Sequence, residues 1–177
     1  MVFDPNKISG DEFAAFEEAT QFLEQMCSVL RVRHLSYWSL SLSEGLPDEV
    51  TWIATYDPAY MSFYMGHYTP LGDPAFGSTG GDGDIIDWAD FSANDELAQA
   101  MHRAAAKYGI GKFGLSYPFN DGPKRSIMFS VNADCDGAGW PDEKRRIMDS
   151  FRGFARYFHS RAKSLVESRN IGGVSAA

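Results

Sequence analysis

The 177-residue chain is 44% apolar and 14% aromatic, enough for one folded domain with its own core. Its net charge of −8 argues against gripping nucleic acid unaided, which needs a basic patch to displace counterions. No run approaches the roughly 18 apolar residues of a membrane span, and Met1-Val2-Phe3-Asp4-Pro5 lacks the basic flank and apolar block of a signal peptide.

A cytoplasmic protein is therefore expected, with Cys27 and Cys135 as reduced thiols. The first predicted element is a helix over residues 11–31, where Phe13, Phe16, Ala19, Phe22, Leu23, Met26 and Leu30 recur at three- and four-residue steps. Residues 33–42 alternate as a strand, with Trp38, Leu40 and Leu42 opposed to Tyr37, Ser39 and Ser41. Gly45 and Pro47 mark a loop over 43–49, and 50–55 form a second strand. Pro58 opens a helix that ends near Gly66. Gly, Pro, Asp, Ser and Thr dominate 69–84, predicting a long ordered loop.

Ser92 or Asn94 is the expected cap of the next helix, which runs to Tyr108 and stops at Gly109. Strands at 112–119 and 125–131 flank Asn120-Asp121-Gly122, a hairpin signal. Pro141 opens a last long helix striped by Ile147, Phe151, Phe154, Tyr157 and Phe158. The class is α/β (α+β): an α-β-α sandwich around a central antiparallel sheet of about five strands, with helices on both faces. Residues 1–168 read as one domain and the small, polar residues 169–177 as a linker or disordered tail. No residues remain for a helix-turn-helix.

Tyr56, Tyr60 and Tyr64 stand at helical spacing on one face, followed by Asp73-Pro74 and a lone Trp88. Phenols have apolar bodies and hydrogen-bonding tips, which suit a pocket for a small ligand with a polar head. Three helical tyrosines are also ordinary core aromatics. Asp73 favours the pocket, because a carboxylate among aromatics needs a donor; that donor is a ligand N–H or a backbone amide.

Other motifs read more blandly. Asn132 to Glu143 has calcium-loop spacing, but a strand precedes it and Pro141 falls inside, so it reads as an acidic connection before a helix. Gly77 to Asp84 has no Lys to cradle phosphate and reads as a flexible lid. His34, His67, His102 and His159 are scattered without metal-ligand spacing, and no nucleophile elbow is present. Neither catalysis, nor a metal, nor a cofactor is expected.

The ordered set Tyr56, Tyr60, Tyr64, Asp73-Pro74, Trp88 and Gly114 resembles the N-terminal signal-binding domain of LuxR-type quorum-sensing regulators. That family carries Tyr-Pro-x-x-Trp-x-x-x-Tyr, then Asp-Pro, Trp and a later strand Gly. The strand Ser126 to Ser130 resembles the family strand whose last Ser or Thr faces the pocket. The resemblance spans roughly residues 10–165 and implies an N-acyl homoserine lactone or related small signal as ligand. By this likeness Asp73 accepts the amide N–H, and Tyr56 and Ser130 contact the amide carbonyl. Tyr64 forms a wall near that carbonyl, and Trp88 packs on the lactone ring. Tyr60 stands where the family's Trp donates to the lactone carbonyl. Trp38 and Met128 occupy strand positions where small residues often make room, and Phe76 adds bulk beside Asp73. The cavity is thus expected to be short or filled, for a short-chain or aromatic acyl signal, a non-lactone signal or none.

The expected role is ligand sensing within a transcription regulator, as a homodimer or a heterodimer with a related regulator, without DNA binding by this chain alone and without a membrane. The long last helix is the candidate dimer surface. The alternative is a ligand-independent stand-alone domain that acts by heterodimerising; a small enzyme is the third reading.

Overall fold

The structure, a computed structural model, describes residues 11–43, 46–68, 73, 83–91 and 95–169. Its strands are β1 (His34–Ser43), β2 (Leu46–Ala54), β3 (Ile86–Asp87), β4 (Gly114–Asn120) and β5 (Arg125–Asn132). Its helices are α1 (Phe16–Leu30), α2 (Pro58–His67), α3 (Glu96–Ala106) and α4 (Trp140–Arg169). The strands form one antiparallel sheet in the order β2-β1-β5-β4-β3.

Strand alternation decides the layers, because successive side chains point to opposite faces. Leu35 and Tyr37 of β1, Phe129 and Val131 of β5 and Leu115 and Tyr117 of β4 share one core with Leu23 of α1 and Phe154 and Phe158 of α4. Trp38 and Leu40 of β1 and Met128 of β5 share the opposite core with Tyr60 and Tyr64 of α2 and Met101 and Ala105 of α3. Helices cover both faces, as the sequence pattern predicts. The first core is the larger and holds the aromatic stripe of α4.

Several boundaries differ from expectation for local reasons. The first helix starts at Phe16 and not at residue 11. Phe13 still reaches the core, fastened by its N–H to the Arg161 carbonyl at 2.9 Å and by the Arg161 guanidinium 4.0 Å from its ring centroid. β2 starts at Leu46, because a register shift at Ser41/Leu42 lets the hairpin take in Pro47. The short strand β3 has no sequence signal of its own. Asp95 caps α3, with Oδ1 accepting from the Ala98 N–H at 3.0 Å, whereas Ser92 and Asn94 lie outside the described residues.

The Asn120-Asp121-Gly122 turn joins β4 to β5, with Gly122 at φ 76°, in the left-handed region that favours glycine. The acidic run after β5 is used locally: Asp134 pairs with Arg33, and Asp136 Oδ1 accepts the Gly139 N–H at 2.9 Å. Most of the 69–84 loop and residues 170–177 lie outside the described residues. No helix among the described residues is long and apolar enough to cross a membrane.

Candidate functional site

Helix α2 begins where Asp57 accepts the Ala59 N–H at 2.7 Å and Pro58 supplies a preset φ in the first turn. Four-residue spacing then stacks the phenols. Ring centroids of Tyr56 and Tyr60 lie 5.5 Å apart, those of Tyr60 and Tyr64 6.0 Å, and those of Tyr64 and Tyr68 5.8 Å. The ladder leans on β1, where the Trp38 ring lies 5.5 Å from Tyr64 and the His34 ring 5.1 Å from Tyr56.

The sheet supplies a floor of two contrasting rows. Ser36, Ser130 and Ser116 are direct cross-strand partners on β1, β5 and β4. The next row on the same face is Trp52, Trp38, Met128 and Pro118, on β2, β1, β5 and β4. A strip of small hydroxyls is thus bounded on one side by a wall of bulk. Ser116 Oγ lies 2.8 Å from Ser130 Oγ, and the Trp38 indole N–H reaches Ser36 Oγ at 3.3 Å.

A cavity of about 70 Å³ lies over the serine strip. Ser36, Trp38 and Ser130 line it from the sheet, Tyr56, Tyr60 and Tyr64 from the α2 side, and Trp88 and Phe91 from the segment after β3. Ala98, Met101, His102 and Ala105 of α3, followed by Ile110 and Gly111, form the remaining wall. Asp73 borders the same cavity and accepts the Tyr64 hydroxyl at Oδ2, 2.6 Å away. That short bond has the length expected when a hydroxyl meets an ionised carboxylate. Burial, then the Asp73 charge, drives the Tyr64 phenol pKa far upward, so Tyr64 stays a donor. Burial pushes Tyr56 up to about 12, with a Ser36 hydrogen bond opposing it and the Asp73 charge adding to it. Tyr60 is raised by burial and then by Tyr56. The site therefore offers neutral donors around one carboxylate.

Trp88 is mounted by its neighbours. A 3-10 turn over Trp88–Asp90 is capped by Asp87, whose Oδ1 accepts the Ala89 N–H at 2.9 Å. Asp87 is itself buried, 2.7 Å from Lys144 Nζ and 3.2 Å from the Trp140 indole nitrogen, which ties the turn to the start of α4. The Trp88 indole N–H donates to Ser116 at 2.9 Å. Beneath the ring lies Gly114, where a Cβ would stand 2.6 Å from Trp88 Cε3 and 2.5 Å from the Val131 carbonyl oxygen. Only glycine leaves room there.

Of the sequence-selected residues, Tyr56, Tyr60, Tyr64, Asp73, Trp88, Ser130 and Trp38 are brought together around the cavity. Met128 stands in the bulky row beside Trp38, and Gly114 stands under Trp88; neither borders the cavity directly. Phe76 lies outside the described residues. The family model described as the autoinducer binding domain matches residues 15–162.

The chain belongs to the autoinducer-binding domain family.

This is a signal-binding family and not an enzymatic one. Among solved structures, the fold is similar to that of CepR2 from Burkholderia cenocepacia, described as an N-acylhomoserine lactone dependent LuxR-family transcription factor. That likeness has TM-score 0.63 and 16% identity, and it covers 90% of this chain and 89% of that one. Escherichia coli SdiA is similar at TM-score 0.60 and 16% identity, over 88% of this chain and 63% of SdiA. SdiA in complex with octanoyl-rac-glycerol matches at TM-score 0.58 and 16% identity, over 87% of this chain and 62% of that one. No curated protein sequence matches the chain significantly.

Sequence reasoning missed one whole wall of this autoinducer-binding domain. Ala98, Met101, His102 and Ala105 follow the i, i+3, i+4, i+7 rule, which marks an inward helix face without saying that it borders a cavity. Ser36 was detectable, since it shares the face of Trp38 by strand alternation.

Proposed function

We propose that this domain senses a small acylated signal, an N-acyl homoserine lactone or a related amide, for a cytoplasmic, dimeric LuxR-type transcription regulator. The observation that carries the reading is Asp73, an acceptor set at the edge of an aromatic cavity and held by Tyr64. A half-buried carboxylate beside apolar rings favours ligands that bring it an N–H or O–H. The serine strip and the Tyr56 hydroxyl offer donors to a carbonyl on the same ligand. The apolar rings enclose the rest.

The row of Trp38 and Met128 supports a short acyl chain. A volume of about 70 Å³ is far below the roughly 300–1,000 Å³ of common ligand sites. Towards that row a longer chain needs Trp38 to move. Open volume beside Asp73 speaks against a pocket already filled by its own side chains.

Ligand binding to the folded state alone raises thermal stability by mass action. The test is a melting series with N-butanoyl-, N-hexanoyl-, N-octanoyl- and N-dodecanoyl-homoserine lactone. Upward shifts are expected for the two shortest chains, and they are expected to vanish in Asp73→Asn. Absence of a shift with every lactone rejects the reading.

A further inference from the structure

We propose that His102 is a second polar anchor of the pocket, and that the ligand carries, apart from the group taken by Asp73, a hydrogen-bonding oxygen that this imidazole meets. The inference rests on the signal-binding reading and deepens it. Several polar groups of the cavity wall are already engaged within the protein. Tyr64 is held by Asp73, the Trp88 indole by Ser116, Ser130 by Ser116, and the Trp38 indole by Ser36. His102 differs. It borders the cavity half-buried, and among the described residues neither ring nitrogen has a hydrogen-bond partner.

Its setting suits contact with a ligand. On α3 the wall reads Ala98, Met101, His102 and Ala105, so His102 is the one residue of that helical face with polar side-chain atoms. The two alanines leave space on either side of the ring. Phe91, 6.0 Å away between centroids and tilted by 31°, also lines the cavity beside the imidazole. The ring nitrogens are accessible from the cavity and take no hydrogen bond from the described residues, which leaves them free to meet a ligand oxygen. Burial, and then the charge of Lys112, hold the ring pKa below its ordinary 6.5, so the neutral form dominates at pH 7. A neutral imidazole has one N–H and one acceptor nitrogen, which fits a carbonyl or hydroxyl. Asp73 stands on the α2 side, bound to Tyr64, and His102 on the α3 side. A ligand held by both is polar at two points and short between them.

The experiment titrates N-butanoyl- and N-hexanoyl-homoserine lactone into the wild-type chain and into Asp73→Asn, His102→Phe and His102→Gln. Calorimetry is combined with 15N spectra of histidine-labelled protein. His102→Phe keeps a ring against Phe91 and removes both nitrogens, so its unliganded melting temperature is expected close to wild type. Expected results are a displaced His102 ring-nitrogen resonance on lactone addition and an affinity loss of about tenfold in His102→Phe, the worth of one hydrogen bond. Partial recovery is expected in His102→Gln. Binding that depends on Asp73 but is unchanged in both His102 variants, with no resonance shift, overturns this inference alone. Failure of the wild type to bind either lactone overturns both it and the functional reading. If His102→Phe proves unfolded, the wild-type resonance and the glutamine variant decide.

Discussion

The Tyr64 hydroxyl donates to Asp73 Oδ2 at 2.6 Å, joining a helix face to the residue that follows it by nine positions. This bond holds one carboxylate oxygen at the cavity edge. It also makes the pair unequal in function. Asp73→Asn replaces a charged acceptor by an amide that presents its own donors, and it is expected to weaken N-hexanoyl-homoserine lactone by at least about tenfold. Tyr64→Phe keeps the carboxylate and the ring, so its loss is expected to be smaller. Calorimetric titration of both variants measures the ranking. Equal affinity of Asp73→Asn and wild type removes Asp73 from the ligand site.

Trp38 stands across the end of the serine strip, buried between Tyr64 at 5.5 Å and Trp52 at 6.2 Å between ring centroids. Trp38→Ala is expected to open the cavity towards Met128 and to move the preferred ligand from N-hexanoyl- to N-octanoyl-homoserine lactone or longer. Large-to-small changes of buried aromatics cost about 3–5 kcal/mol, so the unliganded variant is expected to unfold at clearly lower urea. Chain-length preference is read from melting shifts across the lactone series. A variant that loses stability without accepting longer chains shows that the bulky row does not limit the ligand.

How far the sequence reached depends on the range of each signal. Period-two alternation in β1 assigned Tyr37 and Trp38 to opposite faces, because successive side chains of a strand point to opposite sides, and each face proved to carry its own core. Helical spacing accounted for Tyr60 and Tyr64, whereas Tyr56 lies before the start of α2 and joins the ladder from the segment after β2. Register across strands was not legible, so the serine strip of Ser36, Ser130 and Ser116 emerged only once β1, β5 and β4 were paired. The same holds for Phe13, which joins the core through contacts with Arg161 and Phe158, about 150 residues away, and not through a helix. His102 looked like one of four scattered histidines, since nothing local distinguishes a cavity wall from a packed helix face.

Gly114→Ala tests how Trp88 is seated. The new methyl would meet Trp88 Cδ2 at 2.8 Å and the Val131 carbonyl oxygen at 2.5 Å, so ring and backbone must both give. Overpacking of this kind costs about 1–3 kcal/mol. The Trp88 bond to Ser116 is expected to break, with a change in tryptophan fluorescence and loss of lactone-induced stabilisation. Trp88→Leu placed in the Gly114→Ala background is expected to return part of the stability, because the pair then couples through one contact. Strictly additive costs in the double variant argue that the clash lies with Val131 alone.

Acid is expected to destabilise the domain before most carboxylates titrate. Tyr37 OH lies 2.8 Å from His159 Nδ1, His159 Nε2 lies 3.4 Å from Asp121 Oδ2, and Lys163 Nζ lies 3.0 Å from Asp121 Oδ1. Burial lowers the pKa of His159 from 6.5 more than the Asp121 charge raises it, and burial likewise lowers His34 and His102. As pH falls below 6.5 the unfolded chain takes up protons that the folded chain refuses, so the slope of stability with pH is positive. The stabilisation is complete above 6.5 and is lost as pH falls through each folded value. Asp121 acts lower down: against burial, the Lys163 hydrogen bond and His159 depress its pKa from 3.8, so its contribution is kept above 3.8 and lost beneath. Urea unfolding at pH 7, 6 and 5 is expected to give steadily lower midpoints, with a shallower decline in His159→Gln. A rise in midpoint between pH 7 and 5 would falsify the assignment of His159, His34 and His102 as groups that folding holds neutral.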